Sequence, residues 1–290
     1  MFERILINGL VLGGTYSILA IGFSLIFGVA KIFNMAHTIF YMLTAYLIFF
    51  GNNILGSPYV ISAGVAVLAT SFFAMFLYKF LFDRVKVHET AVMIISLGVS
   101  MIVQEVIILI LGGHYRGVSP FVKGSIAILG VTILYQHLFT MLCCLITLFG
   151  IWVLLFRTYL GKAIRAVAQD KEIANVMGIN VTWVCLLTTG FSAGFAAIAA
   201  VLTAPLEPLH PEMWLRSLVT ILAAVVLGGL GSIKGSVLGA LILGFAESSV
   251  AILFPGGSFL RGAVSLATMV IVLLARPEGL FGVMFEEERL

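Results

Sequence analysis

The chain has 290 residues, of which 61% are hydrophobic and only 10% are charged, and its formal net charge is +3. Soluble domains carry about 25% charged residues, and the surface of a water-soluble fold needs more polar cover than this sequence can supply. With a mean hydropathy of +1.18, the composition excludes a soluble enzyme, a disordered tail and a nucleic-acid-binding module, and it predicts an integral membrane protein.

Apolar segments follow one another along almost the whole chain. A membrane-spanning helix needs about 20 predominantly apolar residues. On this basis we predict an all-α polytopic bundle of about eight or nine spans, forming one transmembrane domain over 1–290. The candidate spans are 5–29, 34–50, 58–80, 91–111, 138–156, 182–204, 214–230, 236–254 and 260–275. The segments 34–50 and 214–230 are short, so we expect them to be broken or re-entrant, and we expect 5–29 to stay in the membrane rather than act as a cleaved signal.

Lysine and arginine predict the orientation of the bundle. Eleven of the sixteen fall in loops on one side of this arrangement and five on the other. Because short cytoplasmic loops carry the excess of these residues, we place the loops 81–90 and 157–181 and the C-terminus in the cytoplasm, with the N-terminus outside. The stretch 112–136 mixes Gly, Pro and alternating apolar residues, so we expect an external loop with some strand or short helix.

The loop 157–181 combines charged residues with small apolar residues at helical spacing. It predicts an amphipathic helix that ends at Gly178, since glycine is favoured just beyond a helix C-terminus. Helices that lie flat on lipid usually carry bulky apolar side chains, so this small-residue helix favours docking on a soluble partner. A helix bound to the lipid surface stays open as the alternative.

Polar side chains fall within or beside several predicted spans. They are Asn8, Asn34, His37, Gln104, Glu105 and Glu247. Such groups are costly in a membrane unless they are paired or hydrated, so they are candidates to line a solute pathway. Glu105 lies deep in its span and Glu247 lies nearer the external end; for both, an inter-helix hydrogen bond and a pathway-lining role stay open. Asn34 suits the cap of a helix, and we expect His37 to be a hydrogen-bonded interfacial residue rather than a proton relay.

Glycines recur every four residues at Gly231, Gly235 and Gly239. Small residues at this spacing let helix backbones approach closely in lipid, where packing replaces the hydrophobic driving force. We therefore predict a cytoplasmic turn over 228–235, followed by a closely packed helix that starts at Gly235.

The sequence carries no motif for metal binding or nucleotide hydrolysis. The three cysteines and five histidines are scattered without metal-ligand spacing, so we expect neither a disulfide framework nor a metal site. No GxxxxGK[ST] motif occurs, and this loop is what cradles phosphates in P-loop enzymes. We expect the chain to be non-catalytic and to bind no cofactor of its own.

Four blocks of sequence, in this order along the chain, resemble a known family. The blocks are NGLVLGGTYSILAIGFSLIFGVAKIFNMAH (8–37), RAVAQDKEIANVMGIN (165–180), VLGGLGSIKGSVLGALILGFAES (226–248) and RPEGLFG (276–282). They resemble the permease subunits of bacterial ABC importers of the branched-chain amino acid type, the LivH-like permeases. Relatives in that family move urea or short amides.

The resemblance implies a multi-pass subunit of the bacterial inner membrane that translocates a small polar solute, with branched-chain amino acids favoured. It makes the helix at 165–178 the coupling helix, which sits in a groove of a separate ATPase. The coupling candidates are Arg165, Ala168, Asp170, Glu172, Ala174 and Gly178. The implied partners are cytoplasmic ATPase subunits, which bind ATP and Mg, a second identical or homologous permease, an external solute-binding protein and the lipid bilayer, with no nucleic acid.

Other functions remain open at this point. A urea, amide or sugar permease of the same importer class differs only in its solute. A secondary transporter without an ATPase would need buried charges for ion coupling, and Glu105 is the one deep acid. A membrane enzyme would need a cluster of catalytic side chains at the membrane surface, and the sequence shows no such cluster.

Overall fold

The computed structural model describes residues 2–85, 88–128, 131–276 and 279–281, and they are mostly helical. The helices are α1 (Phe2–Ala30), α2 (His37–Phe49), α3 (Tyr59–Leu77), α4 (Asp83–Val85), α5 (Glu89–Leu111), α6 (Tyr135–Arg157), α7 (Tyr159–Gln169), α8 (Lys171–Val176), α9 (Val181–Thr203), α10 (Met213–Gly228), α11 (Ile233–Leu253) and α12 (Gly257–Ala275). A π turn, Phe50–Ile54, extends α2, and another, Tyr78–Phe82, joins α3 to α4. The loop 112–136 contains an antiparallel pair of strands, β1 (Ser125–Ile128) and β2 (Val131–Leu134), as its alternating residues predicted.

Six helices among the described residues are long and apolar enough to cross a membrane. They are Phe2–Ala30, Tyr59–Val85, Thr90–Leu111, Tyr135–Arg157, Val181–Thr203 and Ile233–Leu253. The predicted all-α membrane bundle is confirmed at this level, but the count of eight or nine spans is not. The higher count depends on the short helices α2, α10 and α12, because only their inclusion raises the number above six.

The first helix lies at the centre of the bundle and packs along α11 and α9. Small residues allow this approach: a Cβ atom added at Gly244 of α11 would collide with the backbone of Gly13. On its other side α11 packs against α10, where a Cβ atom at Gly239 would collide with the carbonyl oxygen of Ala224. Helix backbones in direct contact are typical of membrane bundles, in which close van der Waals packing stabilises the interface.

Two of the three glycines in the repeat lie in close contact with the backbone of α10, and the third does not. Gly235 packs against the backbone of Gly228, and Gly239 contacts α10. Gly231 instead lies in the turn between α10 and α11 with a φ of +80°, a conformation that favours glycine. The helix begins at Ile233 rather than at Gly235, so the predicted turn is shorter than 228–235.

Two ends of the bundle can be distinguished by which loops meet there. At the α7–α8 end, Lys171 Nζ donates to the last carbonyl of α1, at Ala30, over 2.6 Å. Residues 279–281 reach the same end, where the Leu280 N–H donates to the Leu227 carbonyl oxygen. At the N-terminal end, the Arg116 N–H donates to the Leu209 carbonyl oxygen. This grouping of the loops agrees with the two sides inferred from lysine and arginine.

The second helix begins inside the bundle. Its first residue, His37, lies beside Leu19, which is eleven residues before the end of α1. At 1.5 Å per residue this places the start of α2 about 16 Å inward from Ala30. The segment 34–50 thus enters the bundle as non-helical backbone before the continuous helix α2 begins, in keeping with its predicted broken or re-entrant form. The other short segment, 214–230, forms the continuous helix α10, which contradicts a break there, and the re-entrant alternative stays a prediction.

Candidate functional site

A cavity of about 290 Å³ lies near the N-terminal end of the bundle. Its apolar wall is formed by Val11, Leu12, Leu206, Ala251 and Ile252. Its polar wall is formed by Asn8, His137, Thr203, Glu207, Ser248 and Arg261. An apolar cavity with a few convergent polar groups is the usual form of a small-molecule site.

An ion pair forms part of the polar wall. Arg261 Nη1 donates to Glu207 Oε1 over 3.1 Å, and the two side chains are 23% and 42% exposed. The Nε atom of Arg261 and the Nδ1 atom of His137 are buried without a hydrogen-bond partner among the described residues. The wall therefore offers one negative group, one positive group and unused hydrogen-bonding capacity.

A second, smaller cavity of about 40 Å³ adjoins the first and shares Leu12, Thr203 and Glu207 with it. Tyr16 also lines it. Tyr41 contributes a hydroxyl that lies 2.8 Å from the hydroxyl of Thr203. The two cavities together extend polar lining from the N-terminal end of the bundle towards the middle of α1.

Glu247 of α11 is 1% exposed and joins four helices. Its carboxylate accepts hydrogen bonds from Tyr16 of α1 over 2.9 Å, from Thr220 of α10 over 3.4 Å, and from Ser265 of α12. Glu247 lines neither cavity, although Tyr16 and Thr220 line the smaller one. Of the two roles left open by the sequence, the inter-helix hydrogen bond is the one that this geometry matches.

His37 is completely buried where α1, α2 and α9 meet. Its Nε2 atom lies 3.0 Å from the carbonyl oxygen of Leu19, and its Nδ1 atom lies 3.1 Å from the hydroxyl of Ser192. The contact requires glycine at position 22, because a Cβ atom there would lie 2.8 Å from His37 Cε1. His37 is hydrogen-bonded as predicted, but it lies in the protein core and not at the interface.

Asn34 lies just before α2 and is also buried. Its Oδ1 atom accepts from the N–H of Ala36 over 3.0 Å, which is the pattern of an Asx turn. The N-cap position itself belongs to Ala36, and no side chain caps it. The predicted capping role is therefore wrong in detail: Asn34 shapes the turn that leads into the helix.

The loop predicted to hold one amphipathic helix holds two. Asp170 separates α7 from α8, with an extended backbone at φ −152° and ψ 119°. Its carboxylate accepts from the N–H groups of Glu172 and Ile173 over 2.8 and 2.9 Å, so it caps α8. The predicted end is confirmed, since Gly178 has a φ of +84° and the N–H of Ile179 donates to the Ala174 carbonyl oxygen.

Helix α8 turns bulky apolar side chains away from the bundle. Ile173, Val176 and Met177 are 62%, 86% and 76% exposed. Ala174 is 3% exposed and faces the protein, and Lys171 is bonded to the end of α1. We expected Ala174 on the face that docks on a partner, but it instead packs α8 against the bundle.

The remaining coupling candidates divide between the bundle and solvent. The guanidinium of Arg165 lies over the ring of Phe156, 4.9 Å from its centre. Ala168 is half-buried, whereas Asp170, Glu172 and Gly178 are exposed. Arg165 therefore anchors α7 to α6, and the exposed surface of the loop includes α8 with its two ends and Tyr159 at the start of α7, which is 88% exposed.

A protein-family profile described as "Branched-chain amino acid transport system / permease component" matches residues 5–273. The chain belongs to this family. The match covers the first and third blocks and the loop block quoted above, and it confirms the resemblance that they indicated.

Named relatives cover almost the whole of this permease-family chain. The "High-affinity branched-chain amino acid transport system permease protein BraD" of Pseudomonas aeruginosa is 30% identical over 96% of this chain and 94% of its own. The protein of the same description named LivH, from Escherichia coli K12, is 27% identical over 97% of this chain and 96% of its own. The solved structure "PsaBC from Streptococcus pneumoniae in complex with Fab" covers 94% of this chain and 92% of its own with a TM-score of 0.52. At 14% identity, that likeness concerns the fold alone.

The two polar residues of α5 have different surroundings in this family member. Gln104 accepts from the indole N–H of Trp214 on α10 over 2.5 Å, so it ties α5 to the bundle. Glu105 is exposed, and Ile102 and Leu109 on the same helix are 64% and 82% exposed. Within the described part of the chain no hydrogen bond joins Glu105 to another helix, so its inter-helix hydrogen bond is not found.

Sequence patterns identify only part of the lining of the larger cavity. Asn8 was predicted and lines it, whereas His137, Glu207 and Arg261 are single residues far apart in the chain and belong to no local motif. The apolar triplet Ile173, Val176 and Met177 did carry a signal, its i, i+3, i+4 spacing. No group of histidine, cysteine or acidic residues among the described residues converges in a way that could hold a metal ion.

Proposed function

We propose that this permease-family chain is the membrane subunit of an ABC importer that carries branched-chain amino acids across the bacterial inner membrane, with ATP hydrolysed by a separate cytoplasmic subunit. The observation that carries the proposal is the outward face of α8, formed by Ile173, Val176 and Met177. Bulky apolar side chains that are exposed together on one face mark a surface that binds a partner. A soluble ATPase with an apolar groove would cover this face.

A lipid surface is the competing cover for this face. Helices that lie on membranes carry lysine and arginine on their polar side, since these residues attract anionic lipid. The exposed polar residues around α8 include Asp170 and Glu172, which carry the opposite charge. The charge of the helix therefore favours a protein groove over the lipid surface.

The proposed topology has nine crossings in one transmembrane domain. It adds α2, α10 and α12 to the six long helices, which puts every loop of the α7–α8 end on one side of the membrane. We place that side, together with the C-terminus, in the cytoplasm because it carries eleven of the sixteen lysines and arginines. The N-terminal end and its cavities then face the external solute-binding protein.

A second permease, identical or homologous, is proposed to cover the outward face of α5. Glu105 sits on that face among exposed apolar side chains. An acid at this depth costs several kcal/mol against lipid, whereas a water-filled pathway between two permeases would hydrate it. The solute pathway would then run between the two chains, with Glu105 on its wall.

Coupling would run from α8 into the bundle through two contacts. Lys171 bonds α8 to the end of α1, and the buried Ala174 packs α8 against the bundle. Because α1 packs on α9 and α11, a push on α8 would reach the helices that line the cavities. Alternating access needs two packings of similar free energy, and glycine contacts between backbones permit sliding without side-chain rearrangement.

The outward face of α8 provides the test. We expect Ile173→Glu and Val176→Glu to abolish co-purification of the ATPase, because a carboxylate would be buried without a partner in an apolar groove. Leu230→Glu is the matched control: it makes the same change at an apolar residue that is 47% exposed in the α10–α11 turn. The measurements are ATPase recovery on the tagged permease and L-leucine uptake in cells. Wild-type recovery and uptake in both α8 variants would refute the coupling role.

A further inference from the structure

We propose that the cavity beside the Glu207–Arg261 ion pair is an amino-acid-binding site contained within a single permease chain. The inference rests on the proposed function, which makes amino acids the solute. It adds the place at which this chain holds the solute and the groups that hold it. A zwitterion with a branched aliphatic side chain is the ligand that the cavity walls match.

The polar wall matches the two charges of a free amino acid. Arg261 has five N–H donors; one of them bonds to Glu207, and its Nε is buried with no partner among the described residues. The remaining fork can bind an α-carboxylate through two parallel hydrogen bonds. In the ion pair Glu207 is engaged through Oε1, which leaves its other oxygen for an α-ammonium group. The ion pair itself need not break.

The apolar wall matches an aliphatic side chain. Val11 and Leu12 come from α1, Leu206 from the loop after α9, and Ala251 and Ile252 from α11. The volume of about 290 Å³ is at the lower limit of small-molecule sites, which measure about 300–1,000 Å³. The space therefore suits one small amino acid and not a peptide.

The balance of charge selects among solutes. The polar wall contains one carboxylate and one guanidinium, so a zwitterion satisfies both without leaving a net charge beside the apolar wall. Urea and short amides carry no charge, so each hydrogen bond they form with Arg261 or Glu207 has only one ionised partner, whereas a zwitterion supplies an opposite charge to both groups. An amino acid with a charged side chain would place that charge against Ile252 and Leu206, at a desolvation cost. The cavity thus favours branched-chain amino acids over the amide alternative.

The position of the cavity suits an entry site. It lies at the N-terminal end, and its neighbour continues along α1 through the shared residues Leu12, Thr203 and Glu207. Glu207 faces both cavities, so it can hold the ammonium group while the solute moves from the larger to the smaller space. A solute delivered from outside would therefore bind here first, within one chain, before it reaches the pathway proposed to run between two permeases.

The test is direct binding of L-leucine to the purified permease–ATPase complex in nanodiscs, without the solute-binding protein. We expect Glu207→Gln and Arg261→Gln each to raise the Kd for L-leucine at least tenfold. Glu212→Gln is the matched control, because Glu212 is an exposed acid of the neighbouring loop that lines neither cavity. Its Kd should equal that of the wild type.

Cavity size gives a second readout that a purely structural role would not change. Ala251→Leu narrows the apolar wall, so we expect the ratio of Kd values for L-leucine and L-alanine to rise at least fivefold, with L-alanine binding retained. The inference would be overturned if the affinity for L-leucine were unchanged in all three variants, Glu207→Gln, Arg261→Gln and Ala251→Leu. It would also be overturned if the wild-type complex bound no L-leucine. If these variants also keep ATPase recovery and leucine uptake, the proposed function stands and only the site within the chain falls.

Discussion

Glu247 shows how one buried carboxylate can fix the arrangement of several helices. Three hydroxyls, from α1, α10 and α12, donate to it inside the bundle. Ser265 is completely buried, whereas Tyr16 and Thr220 also line the smaller cavity. Loss of the carboxylate would remove the partner of all three hydroxyls at once, and a buried polar group left without a partner costs about 1–3 kcal/mol.

Substitutions at Glu247 should separate its hydrogen bonding from its charge. We expect Glu247→Gln to keep stability close to wild type, because the amide retains an acceptor oxygen. Glu247→Leu leaves three hydroxyls unpaired and should lower the apparent Tm of the detergent-solubilised protein by several degrees, corresponding to a loss of about 2–4 kcal/mol. Thermal stability can be followed by fluorescence-detected size-exclusion chromatography.

Ser249→Ala is the control for these variants, since the Ser249 hydroxyl donates to the Phe245 carbonyl oxygen of the same helix, α11. Its Tm should stay at the wild-type value. A Glu247→Leu protein as stable as the wild type would show that the four-helix contact does not stabilise the bundle.

The sequence identifies Glu247 but not its partners. An acid within an apolar segment stands out by composition, whereas Tyr16, Thr220 and Ser265 are ordinary residues of three distant segments. Only the packing of the helices brings them together. The same holds for Glu207 and Arg261, which are 54 residues apart in the chain and share no local pattern.

At the scale of elements, the α7–α8 pair shows where periodicity fails. Apolar spacing continues from α7 into α8 without a change of phase, so it predicts one helix. The break comes from Asp170, whose short carboxylate competes for backbone N–H groups and caps the following helix. Aspartate is a strong N-cap residue, so the residue type carried the missing signal. The end at Gly178 was predictable because glycine is the residue favoured in the left-handed conformation just beyond a helix C-terminus.

Contact between α10 and α11 depends on glycine at position 239. We expect Gly239→Ala to destabilise the bundle, because the added methyl group would collide with the Ala224 carbonyl oxygen and force the two helices apart. Overpacking of this kind costs about 1–3 kcal/mol. The apparent Tm and the yield of monodisperse protein measure the effect.

Gly262→Ala in α12 is the matched control, because a Cβ atom there meets nothing within 4 Å. Alanine in an open helical position should leave stability unchanged or raise it slightly. Equal Tm values for the two alanine variants would contradict the packing role of Gly239.

At the scale of the whole molecule, burial is distributed unevenly among the long helices. In its most apolar window α1 is 83% buried, whereas the span Thr90–Leu111 of α5 is only 17% buried. Lipid can cover an apolar face, but Glu105 interrupts this one. The span Tyr135–Arg157 of α6 is also only 22% buried, so it is Glu105 that distinguishes α5 as the face proposed to pack on a second permease.

Disulfide cross-linking can test this surface. In a variant without Cys143, Cys144 and Cys185, we expect Ile102→Cys to form an oxidant-dependent cross-link to a second permease in membranes, seen as a species of about twice the mass. Leu145→Cys on α6 is the control, because residue 145 is similarly exposed, at 59%, but lies on another helix.

A cross-link to a second copy or to a homologous permease would support the proposed interface, and the mass of the product would distinguish them. Cross-linking through Leu145→Cys alone would place the interface on α6 instead.

Hydropathy predicted the long spans because each is apolar along its whole length. It could not predict which helices pack together, since small residues occur in several spans and only some of them meet. It marked the segments of α2, α10 and α12 as candidate spans but could not establish the count of crossings, because helices as short as α2 and α10 can also be re-entrant. Whether these three helices cross the membrane depends on the helices they pack against and not on their own composition.

The inward start of α2 has a consequence for how the protein is made. With 13 residues, α2 is about 20 Å long and cannot cross a hydrocarbon core of about 30 Å unaided. The hydroxyl partner of its His37 is Ser192, which the ribosome adds 155 residues later. The carbonyl oxygen of Leu19, which contacts Nε2 of His37, belongs to α1 and is already present, so during synthesis only Nδ1 lacks its partner. The hydrogen bonding of α2 is therefore completed only when α9 joins α1 and α2.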